Sequence, residues 1–93
     1  MSSTINSTWA AKTIKGAANN HRVRMLLLLS ETPDLSVTEF AEKLNINFRT
    51  ASEHTKKLTN TGLIKKSYNY HSVTHRLTRL GEKMLIAIEE LNS

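Results

Sequence analysis

The most informative segment of the chain runs from Thr50 to Leu58 and has the sequence TASEHTKKL. On a helical wheel of about 100° per residue, Phe48, Thr55 and Leu58 lie within about 60° of Ala51. The charged residues of the same stretch lie on the far side of the wheel, and they are Arg49, Glu53, Lys56 and Lys57. The pattern predicts an amphipathic helix that packs its apolar face on a small core and presents its basic face to a partner.

A shorter helix and a tight turn precede this segment. Ser36 and Glu39 have the spacing of a capping box, and the apolar stripe that follows is Phe40, Ala41 and Leu44. The tripeptide at 45–47, Asn-Ile-Asn, predicts the turn. Asn47 is a favourable N-cap for the basic helix, which we place at about 47–61. It ends at Gly62, because glycine adopts the left-handed conformation without strain.

Two more helices are predicted before the capping box. Residues 8–16 carry Trp9 and Ile14 at helical spacing. From about residue 20 to 30, the apolar residues expected to face the core are Val23, Leu26, Leu27 and Leu29. Pro33 ends this helix, since proline has no backbone donor and restricts the residue before it.

After Gly62 the apolar period changes from that of a helix to that of a strand. Residues 63–68 and 73–78, joined by a polar loop, predict a two-stranded hairpin. A lone hairpin is marginally stable in water, so we expect it to lean on the helices through Ile64, Val73 and Leu77. Thr78 is the expected cap of a last helix at 79–92.

Composition limits the classes of function. The 93 residues suit one domain, 1–93, and we expect its first seven residues to be disordered. A net charge of +5 favours a polyanionic partner. The absence of cysteine excludes disulfides, thiolate zinc sites and cysteine nucleophiles. The longest apolar stretch is far shorter than the roughly 20 residues of a membrane span, and no signal peptide is visible, so we expect a cytoplasmic, nucleoid-associated protein.

The elements follow one another in the order of a winged helix-turn-helix, with an added helix at the N-terminus. From about residue 20 onward the chain resembles the ArsR- and MarR-like transcription regulators. The residues that carry the resemblance are Val37–Leu44, Thr50–His54, Leu58, Gly62–Ile64 and Leu77–Glu82. It implies a mainly α fold with a small β-hairpin, in which helix 47–61 enters the DNA major groove and the wing, about 65–76, lies on the backbone or in the minor groove.

Two departures from the family pattern matter. Thr55 stands where these proteins usually carry leucine, which places a hydroxyl at a core-facing position. The last helix has no histidine pair, and the chain has no cysteine. The resemblance therefore carries no metal-sensing role, because the soft-metal and zinc sites of such regulators need ligands that are absent here.

Candidate DNA contacts fall into two groups. Arginine suits bidentate contact with guanine, and glutamate can accept from cytosine N4, so the first half of the basic helix is predicted to read bases. These base-contact candidates are Arg49, Thr50, Ser52 and Glu53. Backbone contacts fix the register without reading sequence. The backbone candidates are Asn47, His54, Lys56, Lys57, Lys65, Lys66, Tyr68, Asn69, Tyr70, His71 and Arg76.

No catalytic constellation is visible, and we predict neither enzymatic activity nor a cofactor. His71 and His75 are four residues apart, but the loop beside them breaks the strand alternation that would place them on one side. We therefore predict no metal site. His21, just before the second helix, is expected to lie on the surface.

The terminal helices, 8–16 and 79–92, carry more apolar surface than one small domain covers, which predicts a homodimer. The interface candidates are Trp9, Ile14, Leu80, Met84, Ile88 and Leu91. Alternatively, the last helix packs only on its own domain.

Together these features predict sequence-specific binding of double-stranded DNA by a homodimeric transcription regulator, with repression as the expected mode. No membrane partner is predicted and no small effector is indicated. Two other functions remain open: a winged-helix module that docks on a protein, and an RNA-binding winged helix that stacks bases on Tyr68 and Tyr70.

Overall fold

The computed structural model describes residues 4–92, which form five helices and one antiparallel hairpin. The helices are α1 (Ser7–Ala17), α2 (Asn20–Glu31), α3 (Val37–Leu44), α4 (Phe48–Asn60) and α5 (Arg79–Asn92), and the strands are β1 (Ile64–Tyr68) and β2 (Val73–Leu77). The predicted mainly α fold with a small hairpin is confirmed. Of the terminus expected to be disordered, residues 1–3 lie outside the described residues, and Ser7 already belongs to α1. None of the helices within 4–92 combines the length and apolarity needed to cross a lipid bilayer.

Local capping chemistry sets the helix-turn-helix as predicted. Ser36 accepts from the Glu39 amide at 3.1 Å, and the Glu39 carboxylate accepts from the Ser36 amide at 3.0 Å. The Asn47 side chain accepts from the Thr50 amide at 2.8 Å and so caps α4. Gly62 has φ +79°, the left-handed conformation expected just past the end of α4. These caps fix where α3 and α4 begin and how α4 leads into the hairpin.

The core is centred on α2, and its buried face differs from the predicted one. The buried residues are Arg22, Met25, Leu26 and Leu29, spaced as i, i+3, i+4 and i+7. Leu27 is exposed, and Val23 is only half-buried. The prediction for Leu27 was wrong because the run from 25 to 29 is apolar at every position, so its sequence alone does not reveal the helix face.

The hairpin is rooted in the core at its base. β1 and β2 pair from Ile64 opposite Leu77 to Tyr68 opposite Val73. Leu35 makes an isolated bridge to His75 on the free edge of β2. Ile64 is buried as predicted, but Val73 is exposed, and Thr74 and His75 are buried in β2 instead. His75 is turned inward because it bonds the Leu35 carbonyl and packs its ring against Phe40.

The last helix packs on the core along one face and exposes the rest. Leu85 is buried, and Leu80 and Met84 pack partly against the core. The stripe assigned to the dimer interface is therefore split, since its first two members already contact their own domain. Ile88 is half-buried, whereas Leu91 is 87% exposed.

Candidate nucleic-acid interface

The basic helix α4 is anchored by its neutral face. Ala51 and Leu58 are fully buried, and Thr55 is 3% exposed. The Thr55 hydroxyl donates to the carbonyls of Ala51 and Ser52 at 3.0 and 2.9 Å. These bonds within the helix satisfy the polar group that replaces the family's leucine. The orientation of α4 is thus fixed from the inside, and its other face is left to solvent.

The outer face of α4 carries four of the predicted contacts, and two more lie at its edge. Arg49 and Glu53 lie on the surface, their side chains 90% and 64% exposed, and form an i,i+4 ion pair at 3.5 Å. Lys56 and Lys57 are exposed, and Thr50 and Ser52 are half-buried at the edge of the face. An exposed ion pair is worth little to stability, so Arg49 can exchange Glu53 for another partner at small cost.

Phe48 does not lie in the core, although the helical wheel placed it on the apolar face of the basic helix. It is the first residue of α4 and is 58% exposed. Ile46, in the turn just before, is the residue that packs partly against the core at this end of α4. The wheel assumed that α4 packs along its whole length, whereas its buried residues begin at Ala51.

Predicted contacts on α4 and on the hairpin share one surface. A cleft of about 460 Å³ lies between the two elements, and Ser52, Lys56 and Lys66 are among its lining residues. Farther along the hairpin, Tyr68 is 73% and Tyr70 100% exposed. The remaining hairpin candidates Lys65, Asn69 and His71 are also exposed. Cations and aromatic rings are thus presented together without cover from the rest of the fold.

Arg76 differs from the other predicted backbone contacts. Its Nε and Nη2 donate to Oδ1 and Oδ2 of Asp34 at 2.6 and 2.8 Å. The hydrogen bond from Arg76 lowers the pKa of the Asp34 carboxyl below its ordinary value. This bidentate pair ties β2 to the loop before α3. A phosphate would have to compete with Asp34 for this guanidinium, so the structure gives Arg76 a bracing role that its sequence position did not indicate.

His54 faces inward from α4 toward a buried arginine. Arg22 is 7% exposed and donates from Nε to the Gly16 carbonyl at 2.6 Å and from Nη2 to the Lys15 carbonyl at 3.3 Å. Its Nη1 lies 3.2 Å from Nδ1 of His54. Because a guanidinium only donates, Nδ1 accepts and the proton of neutral His54 is on Nε2. Nε2–H is then the group left for the predicted phosphate contact.

The surroundings of His54 disfavour its charged form. Burial lowers the pKa of His54, and the nearby charges of Arg22, His21 and Lys57 lower it further against the opposing effect of Glu53. The His21 ring lies 5.5 Å from that of His54 between centroids. His21 is half-buried, not on the surface as predicted, and its Nδ1 is buried without a partner within the described residues.

Arg22 was missed at the sequence level. The available signal was its position, because it begins the i, i+3, i+4, i+7 stripe that α2 buries. A cation on a buried stripe requires carbonyl or carboxylate partners, and the last turn of α1 supplies carbonyls, where the helix dipole also favours positive charge.

No group of three or more metal-ligating side chains is found within residues 4–92. His75 is buried and its Nδ1 lies 2.9 Å from the Leu35 carbonyl, whereas His71 is exposed near the hairpin tip, with its ring centroid 6.3 Å from that of Tyr70. The two histidines are thus directed to different surroundings.

The terminal helices expose large apolar side chains. Trp9 and Ile14 on α1 are 54% and 60% exposed, and Ile86 and Leu91 on α5 are 56% and 87% exposed. Apolar side chains of this size gain free energy when a partner covers them.

The chain shares sequence features with a known family. A family model described as winged helix-turn-helix DNA-binding matches residues 19–65, which span α2, α3, α4 and the start of β1. No curated protein matches the sequence significantly.

Solved structures share the fold over nearly the whole chain. HlyU from Vibrio cholerae N16961 is 26% identical, with 96% of this chain and 97% of that chain covered and a TM-score of 0.81. The homodimeric winged helix-turn-helix DNA-binding domain of Mb0332 from Mycobacterium bovis, a possible ArsR-family transcriptional regulator, is 22% identical, covering 98% and 88% with a TM-score of 0.78. The transcriptional repressor BigR from Xylella fastidiosa is 21% identical, covering 91% and 87% with a TM-score of 0.76.

The chain belongs to the winged helix-turn-helix DNA-binding family, and its fold is that of transcription regulators of the ArsR and MarR type. Of these solved structures, Mb0332 is a possible ArsR-family transcriptional regulator and BigR is a transcriptional repressor.

Proposed function

We propose that the protein is a homodimeric transcription repressor that binds double-stranded DNA in a sequence-specific manner. In this proposal α4 enters the major groove and the hairpin contacts the backbone or the minor groove. Arg49, Thr50, Ser52 and Glu53 read bases. The protein acts at the nucleoid in the cytoplasm and requires no cofactor.

One observation supports the proposal above all others. The buried face of α4 is neutral and satisfied, while Lys56 and Lys57 are exposed on the opposite face and Arg49 is held there only by an exposed ion pair with Glu53. A helix held in this way can enter a groove without the fold having to rearrange. Cations in the groove neutralise phosphates and release counterions, which supplies affinity, and base-edge contacts at the start of the helix supply specificity.

The exposed apolar residues of α1 and α5 support dimerisation. The apolar residues exposed on α1 and α5 are best covered by the same residues of a second copy, since a two-fold axis makes a patch self-complementary. A two-fold dimer would place two copies of α4 about 34–36 Å apart, one turn of DNA, and would select a near-palindromic site. The homodimeric state given for Mb0332 and the repressor role given for BigR agree with this proposal.

Selection of bound duplexes from a random pool tests the proposal. We expect an enriched palindrome whose half-sites are one helical turn apart, and an affinity for it that falls steeply with salt. Single-stranded RNA and a protein-only control belong in the same competition. Preference for RNA would support base stacking on Tyr68 and Tyr70, and no preference for any nucleic acid would support a protein-docking module.

A further inference from the structure

A basic pocket lies where α1 meets the end of α4. Its lining includes Lys12, Lys15 and Gly16 of α1, Arg22 of α2, and Lys57 and Thr61 at the end of α4, around a volume of about 260 Å³. We call it the α1–α4 pocket. Four cations line it, and no carboxylate does. Four cationic side chains around one hollow raise its electrostatic potential, which favours an anion there.

A second hollow of similar size has a different set of charged lining residues. The α2–α3 hollow, of about 230 Å³, has Arg24 and Lys43 in its lining, but also Glu31. Two cations and an acid balance much of their charge locally. The α1–α4 pocket has no such balance, which separates it from an ordinary charged surface.

The charge of Arg22 adds to the field inside the α1–α4 pocket. All three of its donor contacts within the described residues go to neutral groups, the carbonyls of Gly16 and Lys15 and the His54 ring. No carboxylate pairs with it within residues 4–92. A buried guanidinium that is solvated only by dipoles keeps its positive charge available to an anion.

The pocket is continuous with the proposed DNA-binding surface. Lys57 belongs both to the exposed face of α4 and to the pocket lining. α1 approaches α4 so closely here that a Cβ added to Gly16 would lie 2.5 Å from Cγ2 of Thr61. This contact carries Lys12 and Lys15 to the flank of α4.

We propose that the α1–α4 pocket binds a phosphate group, supplied by the backbone of the bound duplex beside the groove that α4 occupies. Lys12 and Lys15 then become DNA-backbone contacts outside the helix-turn-helix and the wing. The proposal rests on the proposed function for its source of phosphate, while the chemistry of the pocket is independent of it.

The test compares two double variants that remove the same charge. Lys12→Ala/Lys15→Ala removes two cationic side chains from the lining of the α1–α4 pocket. Arg24→Ala/Lys43→Ala removes two from the lining of the α2–α3 hollow. We expect the first to weaken operator and random duplex alike, with a slope of log K against log salt shallower by about 0.9 for one lost phosphate contact. The second should leave that slope unchanged.

A second arm identifies the source of the phosphate. Inorganic phosphate is titrated into the free protein while the amide signals of Gly16 and Thr61 are followed by NMR. An unchanged salt slope with a saturable phosphate response that Lys12→Ala/Lys15→Ala abolishes would assign the pocket to free phosphate. An unchanged slope without such a response overturns the proposal. If the wild-type protein binds no duplex, the proposed function fails and the phosphate titration alone judges the pocket.

A different observation supports a second inference, which also rests on the proposed function. Phe48 is the first residue of α4, where a recognition helix meets base edges, and it is 58% exposed beside Arg49. A phenyl ring offers no hydrogen bond but can contact the C5-methyl group of thymine. We infer that Phe48 selects thymine at one position in each half-site.

Replacing thymine by uracil in the selected operator removes only that methyl group. At one position in each half-site, we expect a single replacement of thymine by uracil to weaken wild-type binding about fourfold. This is the effect of losing one buried methyl contact. Phe48→Ala should bind thymine and uracil duplexes equally at that position. Leu27→Ala, which removes an exposed apolar side chain from α2, should keep the uracil effect. If Phe48→Ala leaves every uracil effect intact while wild-type binding is selective, this inference is wrong and the proposed function stands.

Discussion

The outer face of α4 and the outer faces of α1 and α5 are both left uncovered, but only the terminal helices expose large aliphatic and indole side chains beside their charged ones. α4 presents Arg49, Lys56 and Lys57, and it buries neutral residues. α1 and α5 present large apolar side chains such as Trp9 and Leu91. Exposed cations are well solvated and stable in water, whereas exposed apolar surface gains free energy when it is covered. The comparison supports the proposal that the first surface binds a polyanion and the second a protein partner.

The largest effect is expected when the apolar surface is made charged. Ile14→Glu/Leu91→Glu should give a monomer, because two buried carboxylates would face their symmetry copies across the interface. Loss of two-site binding should lower the affinity for the full palindrome by about 100-fold or more. Binding to an isolated half-site should stay near wild type, since both positions are exposed in the single chain, whereas thermal stability should fall because the folded chain loses the stabilisation that the dimer supplies.

Sedimentation and gel-shift on full and half operators measure both effects. Leu27→Glu is the matched control, because Leu27 is an exposed apolar residue of α2 outside the terminal helices. It should leave the dimer intact. A double variant that sediments as a dimer would show that α1 and α5 are not the interface.

A smaller effect is expected from the start of α4. Arg49→Ala should cost about 1–3 kcal/mol of operator binding and relax the preference at one base pair. The exposed pair with Glu53 should contribute little to folding, so the melting temperature should not move. Repeating the duplex selection with the variant locates the relaxed position. Unchanged binding to operator and random DNA would remove Arg49 from the base contacts.

The hairpin should give a smaller and unspecific effect. Lys66 is exposed and lines the cleft between α4 and the hairpin. Lys66→Ala should weaken all duplexes alike and make the salt slope shallower by about 0.9. Lys43→Ala, on α3, removes the same charge and should change neither quantity. A sequence-dependent loss in Lys66→Ala would instead mean that the wing reads bases.

What the sequence could predict depends on how local the determining interactions are. The capping box of Ser36 and Glu39, the Asn47 cap and Gly62 act over a few residues, and the helix-turn-helix built from them was predicted correctly. The basic face of α4 was predicted for the same reason, since a helix of known limits has a known outer side.

The predictions were wrong where the determining contact joins residues far apart in sequence, or where apolar and polar positions do not alternate. Asp34 and Arg76 pair across 42 residues of sequence, and no local signal connects them. Because every residue of the run at 25–29 in α2 is apolar, the sequence does not show which of them are buried. The position of Arg22 on the buried face was missed for the same reason. Phe48 was placed in the core because the wheel continued a periodicity past the point where α4 meets its neighbours.

The smallest expected effect concerns pH and tests the inner side of α4. The pKa of His54 is lowered in the folded protein, so between that pKa and the ordinary value near 6.5 the unfolded chain binds more protons. Stability therefore rises with pH through this window. The contribution of neutral His54 is fully present above about pH 6.5 and is lost as the pH falls toward the folded pKa.

Protonation would remove the Nδ1 acceptor that Arg22 uses and place a third cation beside Arg22 and Lys57. His54→Gln keeps an acceptor without a titrating group, so the difference in unfolding free energy between wild type and this variant should shrink or reverse as the pH falls from 7.5 to about 5. A difference that stays constant over the range would mean that burial and the neighbouring cations do not disfavour the charged form of His54, and that the inner side of α4 is as tolerant of charge as its outer side.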